Sequence, residues 1–164
     1  MEYRRSGVLG ESDLSDRVPP AERAAKGPVV VIECVERIPC NPCVAACPRG
    51  AITIDGDINE RPEVDYETCN GCGLCVSACP GLAIFVVDAS GDGDTATVTL
   101  PYEYTPLPEV GEEVVALDRG GREVGAARVR RVVNTKAMDR TPAVTLEVPR
   151  ELYMKVRHFR RRSG

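Results

Sequence analysis

The chain has 164 residues, 43% of them apolar but only 4% aromatic and none tryptophan, with 21 basic and 25 acidic groups for a formal net charge of −4. This leaves room for one or two small domains and a tail rather than one large core, and no apolar run approaches the ~20 residues that span a bilayer, so membrane insertion is not expected. Met1-Glu2-Tyr3-Arg4-Arg5 is followed by no apolar stretch, so no secretory signal is expected, and eight cysteines without export point to metal ligation in a reducing compartment, the cytoplasm, over disulfides.

Residues 1–27 carry five basic and five acidic groups together with Gly7, Gly10, Pro19 and Pro20. They hold too few apolar side chains to build a core and are expected to form an N-terminal arm, either a flexible leader or a segment that orders against a partner. Val29-Val30-Val31-Ile32 is a β-branched run and predicts a strand. Cys34, Cys40, Cys43 and Cys47 follow, with a short helix expected around residues 44–47. Arg49-Gly50 turns the chain, Ala51-Ile52-Thr53-Ile54 returns as a strand, and Asp55-Gly56-Asp57 turns it again. Val64-Asp65-Tyr66 then leads into Cys69, Cys72, Cys75 and Cys79, a second short helix is expected around 76–79, and Ala83-Ile84-Phe85-Val86-Val87 forms the closing strand.

Residues 89–94 read as a Gly/Asp linker. Asp88, Ser90, Asp92, Gly93 and Asp94 fall in the order of a calcium loop, but Thr99 stands at the twelfth position, where a bidentate Glu is required. Over residues 95–148 the pattern changes: Ala96, Val98, Leu100, Tyr102 and Tyr104 alternate with polar residues, and Pro106 and Pro108 end the run. Glu112 to Leu117 and Arg122 to Val133 flank Asp118-Arg119-Gly120-Gly121, a hairpin signal, and Val144, Leu146 and Val148 share one face of a last strand. The expectation is a small antiparallel β-barrel or sheet module. In residues 149–164, Pro149 opens a basic segment in which Leu152, Val156 and Phe159 have helical spacing, so a C-terminal helix is expected from Arg150 to about Arg162. Its arginines read as a solvated face, with nucleic-acid contact as the sharper reading, and His158, the only histidine, reads as a surface residue.

The chemistry lies in the cysteines. Cys69, Cys72, Cys75 and Cys79-Pro80 have the spacing C-x2-C-x2-C-x3-C-P, by which cubane iron–sulfur clusters are held. Three closely spaced thiolates reach three corners of one cube, and the fourth points away to the other cluster in two-cluster proteins. Cys40, Cys43, Cys47 and Pro48 repeat the run 32 residues earlier, and Ala51, Ile52 and Ile54 continue the match onto Ala83, Ile84 and Val86. Over roughly residues 28–88 the chain resembles the two-cluster bacterial-type ferredoxins. The resemblance implies a ferredoxin-like α+β fold, one-electron transfer and two [4Fe–4S] clusters. One departure stands out, because Arg37 occupies the position equivalent to Cys69 and the nearest other cysteine is Cys34. The crossover rule assigns Cys69, Cys72, Cys75 and Cys47 to one cluster, and Cys40, Cys43 and Cys79 to the other with Cys34 as fourth ligand. Without Cys34 the second site has three thiolates and suits a [3Fe–4S] centre or a cube with an open iron. Zinc is disfavoured because it takes two spaced pairs, commonly with histidine.

The fold class expected is therefore α+β: a dicluster domain at 28–88, the small β module and a C-terminal helix. Residues 28–88 carry three basic and nine acidic groups, net −6, while residues 89–164 are net +2. An acidic cluster domain suits a basic surface on a redox partner. Nothing in the sequence marks a catalytic base, a flavin fingerprint or a phosphate loop, so an electron carrier is expected rather than an enzyme. The clusters need only residues 28–88, so the added segments favour a permanent subunit over a free soluble ferredoxin. In the Cys40-Asn41-Pro42-Cys43 run and the appended module the chain is similar to the ferredoxin-like subunits of flavin-dependent amino-acid or amine dehydrogenases of the proline or hydroxyproline type, a resemblance that implies a flavoprotein partner. A structural iron–sulfur module in nucleic-acid processing is the reading from another class.

Overall fold

Four consecutive branched residues form the first strand, β1 (Val29–Ile32), and all four are buried. A strand alternates its side chains between two faces, so such a run implies protein on both sides. The computed structural model, which describes residues 3–162, supplies both layers. Short helices α1 (Tyr3–Ser6) and α2 (Ala21–Ala24) precede β1; α3 (Pro42–Ala46), β2 (Ile52–Thr53), β3 (Glu63–Val64), α4 (Leu74–Ala78) and β4 (Ile84–Asp88) follow it. The chain continues as β5 (Thr95–Pro101), β6 (Glu113–Leu117), β7 (Glu123–Val133), β8 (Ala143–Pro149) and β9 (His158–Arg161). Seven strands make one antiparallel sheet in the order β1-β4-β5-β8-β7-β6-β9, and β2 pairs with β3 separately. The fold is a ferredoxin-like iron–sulfur unit joined to a mostly antiparallel sheet with few helices.

β1 and β4 pair through Val29↔Val87 and Ile32↔Ile84, and each serves two cores. Val30, Ile32, Ile84 and Val86 face α3 and α4 in a core shared with the cysteines. Val29, Val31, Phe85 and Val87 face the other way, in one core with Val98, Leu100, Val114, Leu146 and Phe159. The sheet therefore curls round this second core. β4 continues directly into it, because Val86 pairs with Thr99 and Asp88 with Thr97. The stretch read as a linker, 89–94, is the connection of that hairpin, and Arg150 donates hydrogen bonds to the Ala89, Gly91 and Gly93 carbonyls across it.

The C-terminal helix expected over Arg150–Arg162 is replaced by a single 3-10 turn at Arg150–Leu152 and the strand β9. Leu152, Val156 and Phe159 do bury apolar surface, so the spacing was informative about burial and misleading about period. β6 has a free edge, and β9 adds to it with Val114↔Arg161 and Leu117↔His158. A ladder to an existing sheet fixes every second backbone group, whereas an isolated helix this short is marginal in water. His158, expected at the surface, is half-buried among Tyr102, Tyr104 and Phe159, stacked edge-on to Tyr102 at 5.9 Å between centroids. The apolar face of β5 is covered by the chain itself, with Val98 and Leu100 fully buried.

The two edge strands are joined by charge. Glu33 follows β1 and its carboxylate accepts hydrogen bonds from Arg119 in the β6–β7 turn (2.8 Å) and from Arg157 just before β9 (2.7 Å). All three side chains are largely dry, with 6% of Glu33, 15% of Arg119 and 3% of Arg157 exposed. Burial works to raise the Glu33 pKa, and the Arg119 and Arg157 guanidiniums outweigh it and hold the carboxyl below the usual range. Arg157 also lies over the Phe85 ring at 4.9 Å.

The N-terminal stretch expected as an arm lies against the chain's own cysteine loops. Leu14 and Ala24 are buried, and the Ala24 carbonyl accepts from the Ala89 amide. Arg17 donates to the Pro62 carbonyl at 3.1 Å.

Candidate metal centres

Each cysteine run is built in the same way: a loop, a short helix carrying the third thiol, and a fourth thiol at the helix end. Pro42 occupies the first turn of α3, where its missing N–H costs nothing. Cys43 lies within α3 and Cys75 within α4, both buried, while Cys47 and Cys79 close the two helices. The Ala51 amide donates to Cys47 Sγ at 3.3 Å, and the Ala83 amide donates to Cys79 Sγ at 3.5 Å, one repeat later. The second loop is fixed by close backbone packing. Gly71 has φ +65° and its α-carbon sits against Pro28, where an added Cβ would come within 2.5 Å of the Pro28 backbone. Its amide points at Cys69 Sγ, 3.5 Å away.

The eight thiols fall into two groups of four, and each group draws on both runs. Cys47, Cys69, Cys72 and Cys75 line one recess, floored by Val30, Ala51 and Ile52. Cys34, Cys40, Cys43 and Cys79 form the second group, close enough that Cys34 and Cys43 are both acted on by Cys79 and Cys40. Cys34 thus stands beside Cys40 and Cys79. Arg37, at the position equivalent to Cys69, is exposed and paired with Glu60 at 3.0 Å, and Glu36 and Ile38 are exposed beside it.

Electrostatics within the groups follow from crowding. Burial, and then the neighbouring thiols, push Cys34 and Cys43 above the ordinary thiol value, and Cys75 is pushed up to about 12. Burial would raise Cys47 too, but the backbone amides of Arg49, Ala51, Ile52 and Gly50 outweigh it and hold the thiol below its ordinary value. Four thiolates at such close quarters repel one another, and bound cationic iron inverts that balance, so deprotonation and metal binding are coupled. A cube takes one thiolate at each of four irons, and each quartet supplies four thiols, so the donor set fits two [4Fe–4S] clusters.

Arg23 and Arg49 support the second loop, and sequence reasoning missed that role. Arg23 donates to the Tyr66 (2.7 Å), Gly27 (3.1 Å) and Cys69 carbonyls, holding the start of the second loop against α2. Arg49 donates to the Thr68 carbonyl at 2.8 Å. Nothing local distinguishes Arg23 from its polar neighbours, since its acceptors are backbone carbonyls far along the chain.

Comparison with known proteins agrees with this geometry. Residues 34–83 match the family described as a 4Fe-4S dicluster domain. The chain is 45% identical over 71 residues to the ketoisovalerate oxidoreductase subunit VorC of Methanothermobacter marburgensis, covering 40% of this chain and 90% of that protein. It is 40% identical over 47 residues to the pyruvate synthase subunit PorD of the same organism, covering 29% of this chain and 51% of that one. It is also 39% identical over 56 residues to the ferredoxin-type protein NapF of Haemophilus influenzae, covering 33% of this chain and 32% of that protein. No solved structure matches. With a match spanning nine-tenths of VorC and eight thiols disposed for two cubes, the chain belongs to the 4Fe-4S dicluster ferredoxin family, as an electron-transfer protein with two [4Fe–4S] clusters.

Proposed function

We propose that this chain is the electron-relay subunit of a multi-subunit oxidoreductase. In it Cys69, Cys72, Cys75 and Cys47 hold one [4Fe–4S] cluster, and Cys40, Cys43, Cys79 and Cys34 hold the other. The observation that carries the ligand assignment is the grouping of the thiols: each quartet takes three from one run and one from the other, and Cys34 joins Cys40, Cys43 and Cys79. The clusters supply one-electron transfer. The chain supplies the thiolates, the amides of Ala51, Gly71 and Ala83 directed at sulfur, and apolar walls that keep water from the buried sides.

The subunit role is supported by the relatives named as subunits of a ketoisovalerate oxidoreductase and of pyruvate synthase. They favour a catalytic partner that oxidises a 2-oxo acid. A flavoprotein dehydrogenase, implied by the resemblance of the Cys40-Asn41-Pro42-Cys43 run and the appended strands, is the second reading for that partner. Within this scheme residues 28–88 form the cluster-bearing part, and residues 1–27 and 95–164 its cover. Among the described residues no helix is long and apolar enough to cross a membrane, and oxygen-labile thiolate clusters suit the reducing cytoplasm.

The test is anaerobic purification from the native host, with metal analysis and identification of co-purifying chains. About eight irons and eight sulfides per chain are expected, with negligible zinc and a stoichiometric catalytic subunit. Cys47→Ser should damage the cluster held mainly by the other run. Iron for one cluster only, or a chain that runs alone from native extract, would count against the assignment and the subunit role respectively.

A further inference from the structure

The charges around the first cysteine loop come in pairs. Arg4 meets Glu36 at 3.4 Å, Arg37 meets Glu60 at 3.0 Å and Arg61 meets Asp16 at 3.6 Å, each with an exposed partner. Arg17 stands apart from them. It is 8% exposed, and among the described residues it forms no ion pair. Buried Leu14 anchors the turn that delivers it, the Arg17 amide donating to the Leu14 carbonyl at 2.8 Å. One guanidinium nitrogen donates to the Pro62 carbonyl, and the buried Nε has no partner.

This side chain lies beside the first quartet. Arg17 lines a cleft with Ile32, Val64 and Tyr66, and Ile32 and Cys34 belong to one apolar core with Cys43 and Cys79. Arg17 and Cys34 are near enough to act on each other through charge. Two carboxylates also line the cleft, but Asp16 is taken by Arg61 and Glu63 is exposed. A dry cation left without a counter-charge is costly, and the groups that can supply one here are the thiolates and the cluster they hold. The cations near the other quartet are placed differently. Arg49 is exposed, where solvent screens it, and Arg23 gives its nitrogens to the Tyr66, Gly27, Pro28 and Cys69 carbonyls.

We propose that Arg17 raises the reduction potential of the cluster held by Cys34, Cys40, Cys43 and Cys79, acting on it as a buried counter-charge. The proposal rests on the ligand assignment above. Reduction adds one electron from the donor to the cluster and neither makes nor breaks a bond, so the two states of the couple differ by one negative charge. A fixed cation stabilises the more negative state, and does so more strongly where water is excluded. The guanidinium keeps its proton at any working pH, so its effect is built in rather than switched. Arg17 lies outside the residues that match the dicluster family, 34–83. The N-terminal stretch therefore acts on the chemistry of the site as well as covering it.

The test is a redox titration of the full-length holoprotein with dithionite, followed by electron paramagnetic resonance, in the wild type and in Arg17→Met, Arg17→Gln and Arg17→Lys. The wave of the Cys34 cluster is identified as the one altered in Cys34→Ala. Arg17→Met and Arg17→Gln should both lower its potential, cutting the ratio of reduced to oxidised cluster at a fixed potential by at least about tenfold, or about 59 mV for one electron. Arg17→Lys should restore most of that loss. The other wave and the iron content should stay at wild-type values in all three. An unchanged potential in the two uncharged variants with iron intact would overturn the proposal, as would equal shifts of both waves or a lysine variant as low as the uncharged ones. Loss of that cluster's iron in all three variants would make Arg17 a structural residue and overturn the tuning too. A Cys34→Ala chain with both waves unaltered would instead remove the ligand assignment, and this proposal with it.

Discussion

Replacing Glu33 by alanine should cost more stability than any substitution at an exposed ion pair of this chain. Among the described residues the Glu33 carboxylate is the only counter-charge paired with Arg157, and Arg157 is 3% exposed. Removing one partner of a buried pair leaves an uncompensated charge and costs about 3–5 kcal/mol, against a total of roughly 5–15 kcal/mol for a folded domain. Arg119→Ala is a milder change, because Glu33 keeps Arg157 and Arg119 is partly exposed; a charged hydrogen bond is worth about 1.5–3 kcal/mol. With a guanidinium slope of roughly 4 kcal/mol per molar for a chain of this size, Glu33→Ala should lower the unfolding midpoint by about 1 M, and Arg119→Ala by about half as much. The assay is anaerobic guanidinium unfolding followed by far-ultraviolet circular dichroism and by the visible absorbance of the clusters. The rate of bleaching at fixed denaturant should be measured beside it, since cluster loss makes the transition irreversible. Equal midpoints for Glu33→Ala and Arg119→Ala would refute the reasoning, because they would mean that Arg157 is not stranded when its carboxylate is removed.

If Cys34 is a ligand, Cys34→Ala should convert one cubane to a three-iron centre, lowering iron from about eight to about seven per chain, with a new electron paramagnetic resonance signal and the other cluster intact; an unchanged spectrum and iron count would show that the site does without it. Burial depresses the pKa of His158 below its ordinary 6.5, so the unfolded chain takes up the proton first. The stability His158 contributes is complete above that value and is lost as pH falls below it, at a slope of at most about 1.4 kcal/mol per pH unit. His158→Phe should lessen the fall in unfolding midpoint between neutral and mildly acid pH, and an identical fall in both proteins would remove the histidine as its cause. Residues 28–88 expressed alone would uncover Val29, Val31, Phe85 and Val87; the fragment should aggregate on gel filtration or lose iron faster than the full chain, and a monomeric fragment with its iron retained would show that the cover is dispensable.

How much of this was legible depends on how local the cause is. The cysteine spacing, its repeat at 32 residues and the β-branched run of β1 are visible because each is set within a few residues. The Asp118–Gly121 turn is visible for the same reason, and β6 and β7 do flank it. β9 was not visible: Leu152, Val156 and Phe159 satisfy a helical period, and what makes residues 158–161 extended is the free edge of β6, some forty residues earlier. The continuity of the sheet across 89–94 was hidden likewise, since a Gly/Asp stretch reads the same whether it links domains or turns a hairpin. Glu33 looked like one of nine acidic residues in its segment; its partners lie 86 and 124 positions away. The two quartets could be put forward from the crossover rule, whereas the charge beside Cys34 could not, because nothing local sets Arg17 apart from the other cations of residues 1–27.

The ion triad also sets an order of events during synthesis. Glu33 and Arg157 are 124 residues apart, and β9, which completes the sheet, follows Arg157 directly. The first cysteine run leaves the ribosome when most of the covering strands have yet to be made, and at ~5–20 residues per second the interval lasts several seconds. During it β1 can pair with nothing until β4 appears, and the core on its outer face is completed only as β5 to β9 are added. Contacts this distant in sequence also form slowly once the chain is free. The cell must therefore either deliver iron and sulfide to a half-covered chain or keep eight thiols reduced until release. Either way, the clusters gain their full cover only once β9 has been made, 79 residues after the last cysteine of the second run.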